Sequence, residues 1–194
     1  SPMTTPKVVA EGLSFPEGPR WHEGALVFSD FYRHTVFRLP PGGDLEAVAT
    51  VENQPSGLGW LPDGRMLIVS MIDRRVLRQE ADGRLVEHAN LFDLAGFHCN
   101  DMVVDRMGRA YVGNFGHNHY VEPTPKPADL IRVDPDGTTS IAARGLAFPN
   151  GAVITPDGGT LIIGETRANC LTAFDIDGDG RLSNRRVWAD LGKN

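Results

Sequence analysis

Four residues with side-chain oxygen atoms recur at one position of a repeated pattern. Each repeat contains a turn glycine, at positions 24, 64, 108 and 158. Counting back eight residues from the last three glycines reaches Ser56, Asn100 and Asn150. The first turn is one residue shorter, and counting back seven residues reaches Glu17. A carboxylate, two amides and a hydroxyl around one point are hard oxygen donors, which suit Ca²⁺ or another hard divalent cation.

The same residue types also occur where strands end, because Asn-Gly, Asn-Asp and Ser-Gly pairs are common in turns. One such residue alone would favour a structural role as a strand cap. Four in equivalent positions favour a shared site, since repeats place equivalent residues around one axis. The sequence leaves both interpretations open and favours the shared site.

The elements that position these residues are short strands. Around each turn glycine, two apolar segments flank an Asp-Gly type turn, which is typical of a β-hairpin. A second hairpin follows in each repeat, with strands predicted at 35–39, 75–78, 129–133 and 170–174 and turns at 42–43, 82–83, 136–137 and 177–178. Four strands in each unit of roughly 40–50 residues are typical of β-propeller blades. We therefore predict an all-β propeller, because a sandwich would not repeat a four-stranded unit.

Four predicted blades occupy the chain to about residue 190, whereas propellers close with roughly four to eight blades. An incomplete ring would leave an open edge, which favours aggregation. Either the protein is a four-bladed ring or further blades lie elsewhere, and we expect the second. The predicted organisation is an N-terminal tail, residues 1–6, in which Ser1 and Pro2 resemble a cloning remnant before Met3, followed by a propeller over residues 7–194.

Composition excludes several classes of function. The net charge of −6 would be repelled by a nucleic-acid backbone. The chain has no apolar run of roughly 20 residues, so we expect no membrane span. Residues 1–6 lack the features of a signal peptide. Two cysteines, Cys99 and Cys170, are too few for a disulfide scaffold, so we expect a cytoplasmic protein in which both are small buried side chains.

An acidic run, Asp175–Gly180, imitates the opening of an EF-hand loop. An EF-hand needs a bidentate Glu at its twelfth position, where this chain has Arg186, and no helices flank the run. We therefore interpret the run as an acidic turn.

The polar, proline-rich segment 114–127 contains His117 and His119. In an extended strand both rings would lie on one face and could bind Zn²⁺, but a third ligand is not evident. The segment is either a lid over a site or a plain surface loop. The sequence assigns neither histidine a role.

Motifs distributed through nearly the whole chain resemble the SMP-30/gluconolactonase family. They are Phe15-Pro-Glu-Gly-Pro-Arg-Trp21, Cys99-Asn-Asp-Met-Val-Val-Asp105, Phe148-Pro-Asn-Gly151 and Leu182-Ser-Asn-Arg-Arg-Val-Trp188. The resemblance implies a six-bladed propeller, about four blades of which this chain would supply. It also implies one divalent metal ion and hydrolysis of sugar lactones or related cyclic esters. Calcium is the expected ion, with Zn²⁺, Mn²⁺ and Mg²⁺ as alternatives.

The resemblance also implies roles for individual residues. Glu17 and Asn150 match metal ligands, and Asn100 matches an asparagine that contacts metal-bound water or substrate. We therefore assign Glu17, Asn150 and Asn100 to the metal. The family's third ligand, an Asp that is also the favoured general base, would lie beyond Asn194, so the catalytic residue is not identified and the chain alone is expected to be inactive.

Four residues are expected on the substrate side of the site. His98 stands where family members often have an Arg that grips substrate, and Asn118 matches a substrate-covering loop. Asn100 and Ser56 complete this set. The expected function is a metal-dependent lactonase, with a lactone as the only predicted partner and no predicted oligomeric state. Two alternatives remain open, a non-catalytic propeller that binds partners and a propeller similar to strictosidine synthase.

Overall fold

The computed structural model describes residues 16–192 and, before them, residues 5, 7, 8, 10, 11 and 13. Most of the predicted tail, including Ser1 and Pro2, therefore lies outside the described residues, as does Phe15 of the first family motif. The described part contains sixteen strands and one short 3-10 helix, Thr166–Ala168. None of its helices has the length and apolarity needed to cross a membrane.

The strands form four sheets of four, which we call blades 1 to 4 in chain order. Their bounds are β1 Pro16–His22, β2 Ala25–Asp30, β3 Thr35–Leu39 and β4 Glu46–Thr50; β5 Pro55–Trp60, β6 Met66–Ser70, β7 Arg75–Gln79 and β8 Leu85–Asn90; β9 Cys99–Val104, β10 Ala110–Asn114, β11 Ala128–Val133 and β12 Thr139–Leu146; and β13 Pro149–Ile154, β14 Thr160–Glu165, β15 Cys170–Ile176 and β16 Leu182–Asp190.

Each blade is an antiparallel meander in which consecutive strands pair. The first strands of neighbouring blades lie side by side, β1 beside β5, β5 beside β9 and β9 beside β13. These inner strands run in the same sense, so their first residues meet at one end of the blades. The predicted all-β class and the four four-stranded blades are confirmed.

The apolar core lies between blades. Leu67 and Val69 of β6 pack towards blade 3, where they meet Met102. The alternate residue Ile68 packs towards blade 1, where it meets Val27. Because both faces of the sheet are covered, every residue of β6 is buried, and its first four residues form a continuous apolar run rather than an alternating pattern.

The predicted turn glycines 24, 64, 108 and 158 all have positive φ, between 74° and 91°. This left-handed conformation costs glycine little because it has no Cβ atom. One turn differs from prediction. In blade 4 the left-handed turn glycine is Gly180 rather than Gly178, and its N–H donates to the carbonyl of Asp177.

The acidic run is a turn, as expected. One carboxylate oxygen of Asp177 accepts the backbone N–H groups of Asp179 and Arg181, and these hydrogen bonds hold the pKa of Asp177 below its usual value. The two cysteines differ. Cys99 is fully buried, which raises its pKa to about 12, whereas Cys170 is only half-buried, so the expectation of two buried cysteines was wrong for Cys170.

Candidate site between the inner strands

A cavity of about 660 Å³ lies where the inner strands begin. Three of the four residues in register, Glu17, Ser56 and Asn150, contribute to its wall, and each comes from a different blade. Asp101 and Arg20 also line it. The wall therefore combines two carboxylates, a hydroxyl, an amide and one guanidinium group.

Every inner strand has an irregular register at its site residue. The pairing with the second strand of the blade shifts between Glu17 and Arg20 in β1, between Pro55 and Leu58 in β5 and between Pro149 and Ala152 in β13. In blade 3 the shift lies between Val112 and Asn114 of β10, opposite Cys99 to Met102 of β9. Such bulges bend a strand and redirect its side chains, and they are common next to active sites.

Glu17 is held in place by the neighbouring blade. Ser56 Oγ donates a hydrogen bond of 2.8 Å to Glu17 Oε2, and the Ser56 carbonyl accepts one of 2.6 Å from Ser29 Oγ. Burial raises the pKa of Glu17 above its usual value, the Ser56 hydrogen bond opposes that shift, and the charge of Asp101 adds to it. A nearby cation would stabilise the charged form of this partly buried carboxylate and so lower its pKa.

The close approach of β5 and β9 depends on Gly57, which follows Ser56. A Cβ atom on Gly57 would collide with the backbone nitrogen of Met102 in β9. Glycine is therefore needed for backbone contact here, although its φ angle is an ordinary one. This contact brings the start of β5, and with it Ser56, next to Asn100 and Asp101.

Asn100 is buried and lies behind the wall of the cavity rather than in it. Its Nδ2 donates to the Pro149 carbonyl at 2.9 Å, which ties β9 to the start of β13. Its Oδ1 is buried without a hydrogen-bond partner among the described residues. It faces Gly113, where a Cβ atom would lie 2.8 Å away. An unpaired buried acceptor of this kind costs roughly 1–3 kcal/mol, so Asn100 Oδ1 fits a bound water, ligand or ion better than a purely structural role.

Sequence reasoning missed Asp101 and Arg20. Arg20 Nη2 donates to Asp101 Oδ1 at 3.0 Å and to the Met102 carbonyl at 2.7 Å, while Asp101 Oδ2 accepts the Ala152 N–H at 3.2 Å. One carboxylate thus links blades 1, 3 and 4. Strand alternation places Asp101 on the other side of β9 from Asn100, and the structure agrees, since Asp101 lines the cavity and Asn100 lies behind its wall. The motif that carries Asn100 already contained the signal, an acidic residue directly after it.

The remaining predicted substrate residues lie outside this wall. His98 stacks on Phe97, with ring centroids 3.8 Å apart. Burial, then the charges of Arg74 and His119, hold the pKa of His98 below its usual value. Asn118 Oδ1 accepts the Tyr120 N–H at 3.0 Å, so this acceptor is used within its own turn.

The two histidines of the loop do not share a face. Residues 115–127 form no strand, which confirms a loop, and the His117 and His119 rings meet edge to face at 6.4 Å. His117 is buried and His119 is exposed. The extended arrangement that would pair them for zinc is absent, because the chain turns at Asn118, whose carbonyl accepts the N–H groups of residues 121 and 122.

The donor chemistry of the wall fits a hard divalent cation. Glu17, Ser56 and Asn150 offer a carboxylate, a hydroxyl and an amide, and Asp101 adds a second carboxylate that is already paired with Arg20. Across residues 16–192 and the few described before them, no three His, Cys, Asp or Glu side chains are grouped to hold a metal. Any cation here would therefore rely on neutral oxygens beside Glu17.

Comparison with known proteins identifies the relationship. The family model described as SMP-30/gluconolactonase/LRE-like region matches residues 15–194. The chain belongs to this family. Among curated relatives, it is 27% identical to pentonolactonase XacC of Haloferax volcanii over 97% of this chain and 62% of that protein. It is 23% identical to a gluconolactonase of Zymomonas mobilis over 98% of this chain and 61% of that protein.

Solved structures share the fold. A gluconolactonase from Xanthomonas campestris has a TM-score of 0.73 at 25% identity, covering 91% of this chain and 63% of its own. A calcium-binding regucalcin from Agrobacterium tumefaciens has a TM-score of 0.75 at 22% identity, covering 92% and 60% respectively. The chain spans a little over three-fifths of the length of the curated relatives it matches.

Proposed function

We propose that the complete protein hydrolyses a lactone at the cavity bounded by Glu17, Ser56, Asp101 and Asn150, with the help of one divalent cation. The observation that carries the proposal is the convergence of oxygen-bearing side chains from separate blades on one cavity. The names of two curated relatives, a pentonolactonase and a gluconolactonase, support a lactone as the substrate.

Glu17 and Asn150 would hold the cation, with Asn100 Oδ1 behind them as an unpaired acceptor. Calcium is the proposed ion because the donors are hard oxygens, and one structural relative is described as calcium-binding. When bound, the cation supplies positive charge that stabilises the oxyanion developing on the lactone carbonyl.

The chain's own residues orient the site. Ser56 fixes the Glu17 carboxylate, and Arg20 together with the Ala152 N–H fixes the Asp101 carboxylate. Asn100 joins β9 to β13 and leaves Oδ1 free for a water molecule or a substrate hydroxyl. The proposed general base is an Asp beyond Asn194, which would take a proton from the attacking water.

The test uses the purified full-length protein. Its metal content is measured by mass spectrometry, and hydrolysis of aldonolactones is followed by acid release with and without EDTA. We expect one divalent ion per chain, loss of hydrolysis in EDTA and recovery with Ca²⁺. Hydrolysis that EDTA leaves unchanged would contradict the role of the cation. Failure of the metal-loaded protein to hydrolyse any lactone would instead favour a non-catalytic propeller.

A further inference from the structure

An array of aromatic rings lies on blades 3 and 4, outside the cavity described above. We call it the aromatic wall; its members are Phe97, His98, Phe115, His119, Tyr120 and Phe148. Phe97 stacks on His98 at 3.8 Å, and Phe115 stacks on Phe148 at 5.2 Å with the rings nearly parallel. The two stacks meet through Phe97 and Phe115, whose ring centroids are 6.4 Å apart. The wall is therefore continuous across two blades.

The wall lies at the end of the blades where the candidate site begins. His98 and Phe148 occupy equivalent positions, each two residues before a site asparagine, Asn100 and Asn150 respectively. The backbone of the two blades is tied together here, since Asn100 Nδ2 donates to the Pro149 carbonyl. Phe115 is attached to the same edge, because its N–H donates to the His98 carbonyl at 3.0 Å.

Phe148 has a strained backbone conformation. Its φ angle is +56°, a left-handed conformation that costs a residue with a side chain roughly 1–2 kcal/mol. Such strain persists only where the surroundings enforce it, and it concentrates at functional sites. Backbone hydrogen bonds hold this conformation, since the Phe148 N–H donates to the Leu146 carbonyl at 3.1 Å and the Phe148 carbonyl accepts the Thr166 N–H at 3.0 Å. The Phe148 ring lies between Phe115 and the Arg167 guanidinium, which is 4.9 Å from its centroid.

The chemistry of the wall is flat and apolar. His98, Phe115 and Phe148 are half-buried, and Tyr120 of the loop is 78% exposed beside His119, at a ring distance of 4.3 Å. The nearby cations already lie against aromatic rings, Arg74 at 5.5 Å from Phe97 and Arg167 against Phe148. The exposed part of the wall is therefore mainly apolar ring surface, and Arg74 and Arg167 are already engaged with its rings.

We propose that the aromatic wall is a specificity subsite for lactones that carry a flat apolar substituent, such as an aryl group, in preference to polyhydroxylated sugar lactones. This rests on the lactonase function proposed above. An aryl substituent would pack against Phe115 and Phe148, while the lactone ring reaches the oxygen donors of the cavity. Ring packing of this kind is worth roughly 0.5–1.5 kcal/mol beyond the area it buries.

The test compares α-benzyl-γ-butyrolactone with α-methyl-γ-butyrolactone, which share the reacting ring and leaving group, in the metal-loaded full-length protein. We expect kcat/KM to favour the benzyl compound by about tenfold or more. Phe148→Ala and Tyr120→Ala should each reduce that ratio, because the loss of kcat/KM is larger for the benzyl compound than for the methyl compound. Met107→Ala, an exposed apolar side chain in the β9–β10 turn, is the control and should leave the ratio unchanged.

A binding measurement separates this proposal from the lactonase function. The probe is the lactam of the benzyl compound, which resists hydrolysis, compared with 2-pyrrolidinone by calorimetry. If the benzyl lactam binds more tightly and Phe148→Ala weakens this binding, the aromatic wall is supported as a binding subsite. If no lactone is hydrolysed in that case, only the lactonase function fails. Two results would overturn the proposal that the aromatic wall is a subsite. One is equal binding of both lactams, and the other is a preference for the benzyl compound that neither Phe148→Ala nor Tyr120→Ala reduces. Tyr120→Ala keeps the test decisive if Phe148→Ala fails to fold, because Tyr120 is exposed.

Discussion

At the scale of single residues, Glu17 carries most of the chemistry proposed for this site. Its carboxylate is partly buried, accepts one hydrogen bond from Ser56 and lies close enough to Asp101 for their charges to repel. Burial and repulsion disfavour its ionised form, whereas a divalent ion would favour it. The ionised Glu17 side chain therefore destabilises the protein without a bound cation and is stabilised when a cation is bound.

Glu17→Gln in the full-length protein is expected to abolish binding of the divalent ion and hydrolysis of lactones, because the wall then has no unpaired carboxylate. Metal content and turnover are measured together. Glu23→Gln, an exposed carboxylate in the following turn, is the matched control and should change neither. Retained turnover with unchanged metal content in Glu17→Gln would show that the ligand assignment is wrong.

The raised pKa of Glu17 also predicts a dependence of stability on pH in chelator. The folded state holds the Glu17 proton more tightly than the unfolded state, so ionisation opposes folding. The free energy of unfolding should therefore fall as pH rises from about 4.5, the usual value for Glu, through the raised folded pKa. Glu17→Gln removes this loss and should gain stability relative to the unaltered protein over that window. Urea unfolding at pH 4 and pH 7 measures how much more stable Glu17→Gln is than the unaltered protein at each pH. An equal difference in the free energy of unfolding at the two pH values would contradict the raised pKa of Glu17.

At the scale of the strands, the bulges at the starts of β1, β5, β9 and β13 determine where the site residues point. They also depend on close backbone contact between blades, which Gly57 permits. The site is thus built by irregular ends of otherwise regular strands. Substitutions at these ends are expected to act on both stability and the site.

Gly57→Ala is expected to destabilise the protein by about 1–3 kcal/mol, the usual cost of overpacking, because its Cβ atom has no room against Met102 of β9. Gly178→Ala is the control, since nothing lies near a Cβ atom there. Its effect should stay within about 0.5 kcal/mol. Chemical denaturation measures both, and equal effects of the two substitutions would show that the β5–β9 contact is looser than described.

Much of the fold could be predicted from the residue types in the turns and from the spacing of the repeats. Less of the candidate site could be predicted. Asp-Gly turns and apolar runs predicted the strands, and the repeat register predicted that Glu17, Ser56 and Asn150 share a region. Asp101 was missed because alternation places it opposite Asn100, the residue that the repeat register assigned to the site. Arg20 was missed because its partners, Asp101 and Met102, lie some 80 residues away in sequence. The aromatic wall was missed because its rings come from separate loops of two blades.

At the scale of the whole molecule, the outer face of blade 4 differs from the faces between blades. Val153 of β13 is 58% exposed there, and Trp188 of β16 is 54% exposed, whereas the faces between the described blades are packed. We propose that the complete protein covers this face with further blades, as the six-bladed architecture implied by the family resemblance would require. The face would then belong to the interior.

Trp188 reports on this proposal. In the full-length protein its fluorescence is expected to be protected from acrylamide, whereas in the 194-residue chain, where it is 54% exposed, it should be quenched readily. Trp21→Phe and Trp60→Phe, made together, remove the other two tryptophans. The same 194-residue chain should hydrolyse no lactone, because the proposed general base is missing. Equal quenching in both proteins, or full turnover by the shorter one, would contradict the six-bladed proposal.

The irregular start of each inner strand has a consequence for how such a protein changes over evolutionary time. The apolar clusters of the blades pack through residues further along the strands, so the four donor side chains lie outside them, although the backbone at these strand ends links neighbouring blades. One donor can then be exchanged in one blade while the other three stay in place, as the differing residues Glu17, Ser56, Asn100 and Asn150 illustrate. A ring of blades built in this way can acquire a new ion or a new substrate by single substitutions, without redesign of its framework.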